Sequence, residues 1–233
     1  MKNYLLSLEE KAHVLQNIYL KNKFYKKKKT YSMHGEDLII KEYFKNVNNG
    51  FYIDIGCYHP LQYNNTMLLY QKGWTGINVD VSDFSIKLFN FCRPKDLNLN
   101  IAVSSKNEDV NLYYQKNLSQ LSTLVKSQSK IVFQGKIKER KILSKTLTKL
   151  LDTSIYKNKK IDFLDLDVEG ADFDVLKSLD FSRYLPKLIS VEKLSKDMNI
   201  KKKNFIAINS KEIEKSEIYI FLVKKNYKKI WSG

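Results

Sequence analysis

The stretch that most constrains this chain is FYIDIGCYHP, Phe51 to Pro60. A short apolar run, Phe51-Tyr52-Ile53, leads into Asp54, Ile55 and a single glycine, Gly56. This pattern predicts a buried parallel strand whose carboxyl end opens into a tight turn that glycine enters without strain. In open α/β sheets such a turn lines the ligand crevice. A dinucleotide fingerprint needs two further glycines after the first, to admit a pyrophosphate. Tyr58 and Leu61 stand at those places, which argues against a pyrophosphate loop. An acid two residues before a lone glycine suits a cationic, phosphate-free cofactor better.

Other segments repeat the pattern. Gly76-Ile77-Asn78-Val79-Asp80 predicts a second buried strand ending in a carboxylate, where a Rossmann-like unit hydrogen-bonds a ribose diol. Between the two strands, Thr66 to Lys72 has helical spacing and stops at Gly73. Ile161 to Gly170, IDFLDLDVEG, predicts another buried strand with Asp165, Asp167 and Glu169 crowding its end. Side chains alternate along a strand, so Asp165 and Asp167 share a face. A helix over Asp172 to Leu179 follows, its leading acid suiting the helix dipole. Pro186 to Glu192 predicts a further strand that again closes on a carboxylate. Four strands each delivering an acid to one sheet edge fit chance poorly in a chain of net charge +16. The competing reading of Asp54 and Asp80 is structural, as loop acids that cap adjacent backbone amides.

That net charge comes from 38 Lys and only 3 Arg against 25 acids. It favours anionic partners such as nucleic acid, acidic membrane or phosphorylated substrates. A chain rich in Lys, Asn and Ile is also what AT-rich coding tends to produce. Sequence-specific nucleic-acid binding leans on bidentate Arg, and Arg is scarce, so nucleic acid is the weaker expectation. With 233 residues and 43% hydrophobic content, one domain with a sizeable core is expected. No apolar run approaches the ~18 residues of a spanning helix. Met1 to Glu10 carries early acids, unlike a secretory signal, and Cys57 and Cys92 read as reduced thiols, so a cytoplasmic protein is expected.

Taken together, the segments YSMHGEDLI (Tyr31 to Ile39), FYIDIGCYHP, NNTMLLYQKGWTGINVD (Asn64 to Asp80), LNIAVS (Leu99 to Ser104), IDFLDLDVEGADFDVLKSLDF (Ile161 to Phe181) and PKLISVE (Pro186 to Glu192) resemble the FkbM-type methyltransferases. They stand in family order over roughly two thirds of the chain. The resemblance implies a Rossmann-like class I methyltransferase fold with a mostly parallel sheet flanked by helices. It also implies S-adenosylmethionine as cofactor and O-methylation of sugars or other small hydroxylated metabolites. The chain departs from the family at Cys57 and Tyr58, where a small residue and Asn are usual. The family also continues with another strand beyond Tyr227 to Gly233, so this sheet is expected to lack its final strand.

On this reading Asp54 and Gly56 receive the aminoacyl end of the cofactor, with Asn65 and Thr66 beside them, and Asp80 takes the ribose. Ala102 and Ser104 flank the adenine, and Tyr31, Ser32 and Glu36 form an N-terminal cofactor segment; Glu36 reads equally as a first-turn helix acid. For catalysis, Asp167, Glu169 or His59 is the base. Alternatively, Asp167 and Glu192 hold Mg²⁺ or Mn²⁺ against the acceptor hydroxyls. The acceptor is expected to be a sugar or nucleotide-sugar of a surface (capsular) polysaccharide. An RNA methyltransferase and a catalytically degenerate binding subunit are the alternatives.

The remaining expectations concern organisation. Residues 1–30 form an amphipathic helix over Tyr4 to Tyr19 and a basic linker, packing on the methyltransferase domain (31–233) or on a second subunit in a homodimer. The basic run Lys26 to Lys29 permits peripheral membrane contact. Helices are expected over Asp37 to Phe44, Phe84 to Phe91 with Ser82 and Asp83 as cap, Thr146 to Leu151 and Asn209 to Asn226. Leu97 to Val103, Val110 to Tyr114 and Tyr227 to Trp231 read as strands. Gln115 to Gly135, polar and aperiodic, reads as a structureless substrate lid.

Overall fold

The computed structural model describes residues 6–116, 122–124, 126–168, 170–191 and 210–232. Helix α1 (Leu8–Leu15) starts at Ser7, whose hydroxyl accepts from the Glu10 amide while the Glu10 carboxylate accepts from the Ser7 amide. That reciprocal pair satisfies two donors that a helix start leaves open. The helix runs on as a π-helical stretch, Gln16–Lys21. Val14 and Ile18 are buried with Tyr31, Leu61, Leu68, Phe84 and Leu88, so this element packs on the domain itself.

Chain order continues with α2 (Glu36–Tyr43), β1 (Phe51–Ile55), α3 (Met67–Gln71), β2 (Thr75–Asp80), α4 (Asp83–Cys92) and β3 (Leu97–Asn100). Next come β4 (Ala102–Val103), β5 (Asp109–Tyr114), β6 (Ser122–Thr123), α5 (Lys126–Val132), β7 (Lys138–Lys145) and α6 (Leu147–Asp152). The chain closes with β8 (Phe163–Leu166), α7 (Asp172–Lys177), β9 (Leu188–Val191), α8 (Ser210–Glu214) and α9 (Glu217–Lys224). The main sheet has five strands in the order β3-β2-β1-β8-β9, each pair parallel. Strand order reverses at β1, and in open α/β sheets ligands bind beyond the carboxyl ends of the strands at such a point, here those of β1 and β8.

The register makes the two faces of this sheet chemically unlike. On one face Ile53, Ile55, Ile77, Val79, Leu164 and Leu166 bury against Leu147, Leu150 and Leu151 of α6 and Val175 and Leu176 of α7. Ile218, Phe221 and Leu222 of α9 add to that core. The other face changes along the strands. Its lowest row is aromatic, with Tyr52 between Gly76 and Phe163. Gly76 is obligatory there, because a Cβ would lie 2.3 Å from the Tyr52 ring. Trp74 and Phe44 pack below, at a ring-centroid distance of 4.9 Å. The next row is polar across all five strands: Asn98, Asn78, Asp54, Asp165 and Ser190. Extending the register two residues gives Asn100, Asp80, Gly56 and Asp167 at the carboxyl edge.

Several expectations change. The strand over Leu97 to Val103 breaks at Ile101; its second part, β4, pairs with β7 in a separate sheet ordered β4-β7-β5-β6. The segment 115–135 holds β6 and α5 rather than a structureless lid, with 117–121 and 125 outside the described residues. Strand β7 was not anticipated, because its run KERKILSK buries only Ile142 and Ser144 and so carries little apolar alternation. The last helix is two, since Ser216 caps α9 through the Tyr219 amide and interrupts the run. The expected strand over Tyr227 to Trp231 is irregular chain: the Tyr227 amide bonds the Leu222 carbonyl, which closes α9 instead. Among the described residues no helix is long and apolar enough to cross a membrane.

Candidate active site

The turn after β1 is built by close backbone approach. Gly56 takes φ +80°, and a Cβ there would lie 1.7 Å from the Asp167 carbonyl oxygen. The Asp167 amide donates to the Ile55 carbonyl at 2.9 Å, and the Gly56 and Cys57 amides both donate to Val79. The three strand ends are thus tied together by main chain, with no room for a side chain at position 56. Tyr58 also lies in the left-handed region at φ 52°. Asn tolerates that region far better than Tyr, so Tyr58 sits here at a cost in backbone strain. Here Tyr58 stacks on Tyr63, itself at φ 50°.

Asp80 holds this turn. One carboxylate oxygen accepts from the Tyr58 amide at 2.8 Å, the other from the Ser82 amide at 2.7 Å. Amide capping, the competing reading of this acid, is therefore present, and each oxygen keeps a further lone pair. Burial raises its pKa to about 7, with Asp54 and Asp167 adding like charge. Asp54 is 3% exposed and accepts from Thr66 Oγ1 at 2.7 Å and Asn64 Nδ2 at 3.2 Å. Its neighbour in register, Asp165, accepts from Asn65 Nδ2 at 3.3 Å. Burial, with Asp54 beside it, holds the Asp165 carboxyl well above the ordinary range. Three buried carboxyls thus gather at and just below the carboxyl edge of the sheet.

A residue that the sequence reading missed lies beneath them. Arg93 is fully buried and donates to Thr66 Oγ1 at 2.7 Å, Asn64 Oδ1 at 2.6 Å and the Pro60 carbonyl at 3.0 Å. Its guanidinium lies over the Phe89 ring at 4.8 Å. Thr66 therefore relays between Arg93 and Asp54. Asp96 completes the network: it accepts from the Tyr52 hydroxyl, the Asn78 amide and the Gly76 backbone. The available signal was the rarity of Arg: a chain that uses Lys almost everywhere places an Arg where a planar fork is needed.

His59 takes a structural place. The Leu61 amide donates to Nδ1 at 2.9 Å, so the neutral ring carries its proton on Nε2, which faces Asn17 Oδ1 at 2.7 Å. Asn22 Nδ2 lies 3.2 Å from the same nitrogen. The π-helical stretch brings these two asparagines, five residues apart, onto one ring. Burial, with Lys28 and Arg93 nearby, lowers its pKa to about 3. Both ring nitrogens are engaged inside the protein, which corrects the expectation of His59 as base.

The N-terminal segment is organised by Asp37, also missed. Its carboxylate accepts from the Tyr31 amide at 2.7 Å and the Ser32 hydroxyl at 2.9 Å. Tyr31 is buried and its carbonyl accepts from the Asn64 amide, which joins this segment to the β1 loop. Glu36 opens α2 and accepts from the His34 amide at 2.8 Å, the role of a first-turn acid. Ala102 and Ser104 lie in and beside β4, and Ser104 Oγ bonds Ser144 and the Lys106 carbonyl. Asn100 is the third-strand residue beside Asp80, donating to its carbonyl at 3.0 Å.

Asp167 is exposed just past β8, next to Gly56. The turn after it is capped by Asp172, which accepts from the Val168 and Gly170 amides at 2.9 and 3.0 Å. Glu169 and Glu192 lie outside the described residues. Among the described residues no group of three His, Cys, Asp or Glu side chains could hold a metal ion; the expected Asp167–Glu192 pair falls partly outside those residues. Cys57 and Cys92 are buried free thiols; burial pushes Cys57 well above the usual range and Cys92 up to about 12.

A family model described as Methyltransferase FkbM domain matches residues 54–223, more than two thirds of the chain. No curated protein and no solved structure matches.

Proposed function

The chain belongs to the FkbM methyltransferase domain family. From that premise we propose that it is an S-adenosylmethionine-dependent O-methyltransferase acting on a hydroxyl of a sugar or nucleotide-sugar, in the modification of a surface polysaccharide. The observation that carries this reading is the row Asn100, Asp80, Gly56 and Asp167 above the buried pair Asp54 and Asp165, at the point where strand order reverses. The acceptor set fits the cofactor: three carboxyls whose ionised form burial disfavours gain from an ammonium group or hydroxyl donors brought to them. S-adenosylmethionine, when bound, supplies a cationic sulfonium with a transferable methyl group. Asp80 accepts the ribose hydroxyls on the lone pairs left free by Tyr58 and Ser82. Asp54 and Asp165 face the ammonium end, and Thr66 and Arg93 keep Asp54 oriented. Asp167, exposed beside the turn, takes the proton of the acceptor hydroxyl. Positioning on this rigid edge supplies much of the rate.

Calorimetric titration with S-adenosylmethionine, followed by a methyl-transfer assay over a panel of nucleotide-sugars, tests the proposal. Binding with turnover on a hydroxylated sugar is expected. Absence of cofactor binding would instead leave a methyltransferase fold kept as a binding subunit. Asp167→Asn should abolish transfer while leaving cofactor affinity within a few-fold. Full turnover in that variant removes the carboxylate from the mechanism.

A further inference from the structure

We propose that the segment Tyr19 to Lys29, with Phe91 beside it, is a docking surface for an anionic phospholipid bilayer. Large apolar side chains reach solvent here in a cluster: Leu20 is 73% exposed, Tyr25 67%, Tyr19 39% and Phe24 38%. They are contiguous, for Tyr19 meets Phe24 edge-on at 6.1 Å and Phe91 at the same distance. Lys21, Lys23, Lys26, Lys27 and Lys29 are all exposed around them. Among the described residues none of the five pairs with an acid.

Exposed apolar surface alone names no partner; its lysine rim does. Leu, Phe and Tyr with Lys around them match a lipid headgroup boundary, where rings sit at the interface and ammonium groups meet phosphates. Nucleic acid is the poorer occupant, because the segment contains no Arg and offers exposed Leu20 to a polar ligand. A second copy of the chain is poorer still, since a two-fold contact would set five lysines against five. The segment is also fixed to the candidate site. Lys28, turned inward, donates to the Leu61 carbonyl at 2.8 Å, and Asn17, which itself accepts from Asn22, accepts from His59. A bilayer held here lies at a set orientation to the Gly56 turn.

Co-sedimentation of the full chain with phosphatidylcholine vesicles, with and without phosphatidylglycerol, tests this. Binding to the anionic vesicles alone is expected, weakening as salt rises. Replacing three lysines together (Lys26→Gln, Lys27→Gln, Lys29→Gln) should lower partition about a hundredfold, at roughly fivefold per lysine. The pair Leu20→Ser and Tyr25→Ser should lower it about tenfold. All five positions are exposed, so thermal midpoint and cofactor affinity should stay unchanged in both variants. No binding to phosphatidylglycerol vesicles, or binding that survives either set of substitutions, overturns the proposal. So does binding to single-stranded RNA that outcompetes anionic vesicles and is indifferent to Leu20→Ser and Tyr25→Ser.

Discussion

Asp80 serves two masters: it caps two backbone amides and, in the proposed function, a ribose. Burial raises its pKa to about 7, above the unfolded value of about 3.9. The native state therefore binds more protons than the unfolded chain in that window. Its contribution to stability is full below about pH 4 and is lost as pH rises through about 7. Ribose hydroxyls donate to the ionised form, so cofactor affinity should move the other way, rising by up to about tenfold between roughly pH 6 and 8. Calorimetry across that range should show the rise in the wild type and a flat, weaker profile in Asp80→Asn. A rise that persists in Asp80→Asn assigns the titration to another group. Gly56→Ala sets a Cβ against the Asp167 carbonyl at φ +80°, and should cost about 3 kcal/mol or more in urea unfolding. Unaltered stability would mean that the β1 and β8 turns can separate freely.

At the scale of elements, Arg93 ties α4 to the loop between β1 and α3. Arg93→Met would leave Thr66 Oγ1 and the Pro60 carbonyl without the donor Arg93 gives them, and Asn64 Oδ1 with Thr66 alone, in a dry site, a loss of about 3–5 kcal/mol in denaturant unfolding. Arg93→Lys should recover little, because an ammonium cannot span partners set by a planar fork. Full recovery would show that charge alone matters there. The elements that were legible in the chain were those with one dominant local cause. Strands β1, β2 and β8 are short, almost wholly buried runs with apolar residues on one face, and α4 has its Ser82 cap. What stayed hidden depended on partners distant in sequence. Strand β7 is held by β5 about thirty residues earlier, and Asp37 and Arg93 matter only through the loops that they join. The site was legible as a set of strand-end acids, because parallel register aligns them. His59 misled because its motif position says nothing of the N-terminal asparagines that close over it.

At the scale of the whole molecule, the described chain ahead of Tyr31 is part of the packing, although the FkbM match begins at residue 54. Val14 and Ile18 are 1% and 0% exposed. Removing residues 1–30 should therefore cost several kcal/mol, at about 1.5–3 for each buried aliphatic side chain. It should also strip His59 of Asn17 and Asn22. In the full chain its imidazole resonances should not titrate between about pH 5 and 8, whereas in the shortened chain they should titrate near 6.5. Titration in the full chain would contradict the neutral, enclosed ring. The strand order carries a consequence for synthesis. β1 lies at the centre of the sheet, yet its partner on one side arrives late: the Phe51 amide bonds Asp162, 111 residues further along. At ~5–20 residues per second the ribosome needs on the order of ten seconds to supply that partner. Throughout that interval a strand buried at every position in the folded protein is an open edge, its amides and carbonyls free to pair with any neighbouring chain. Chaperone dependence, and aggregation when translation pauses between residues 100 and 160, follow from the position of a single strand.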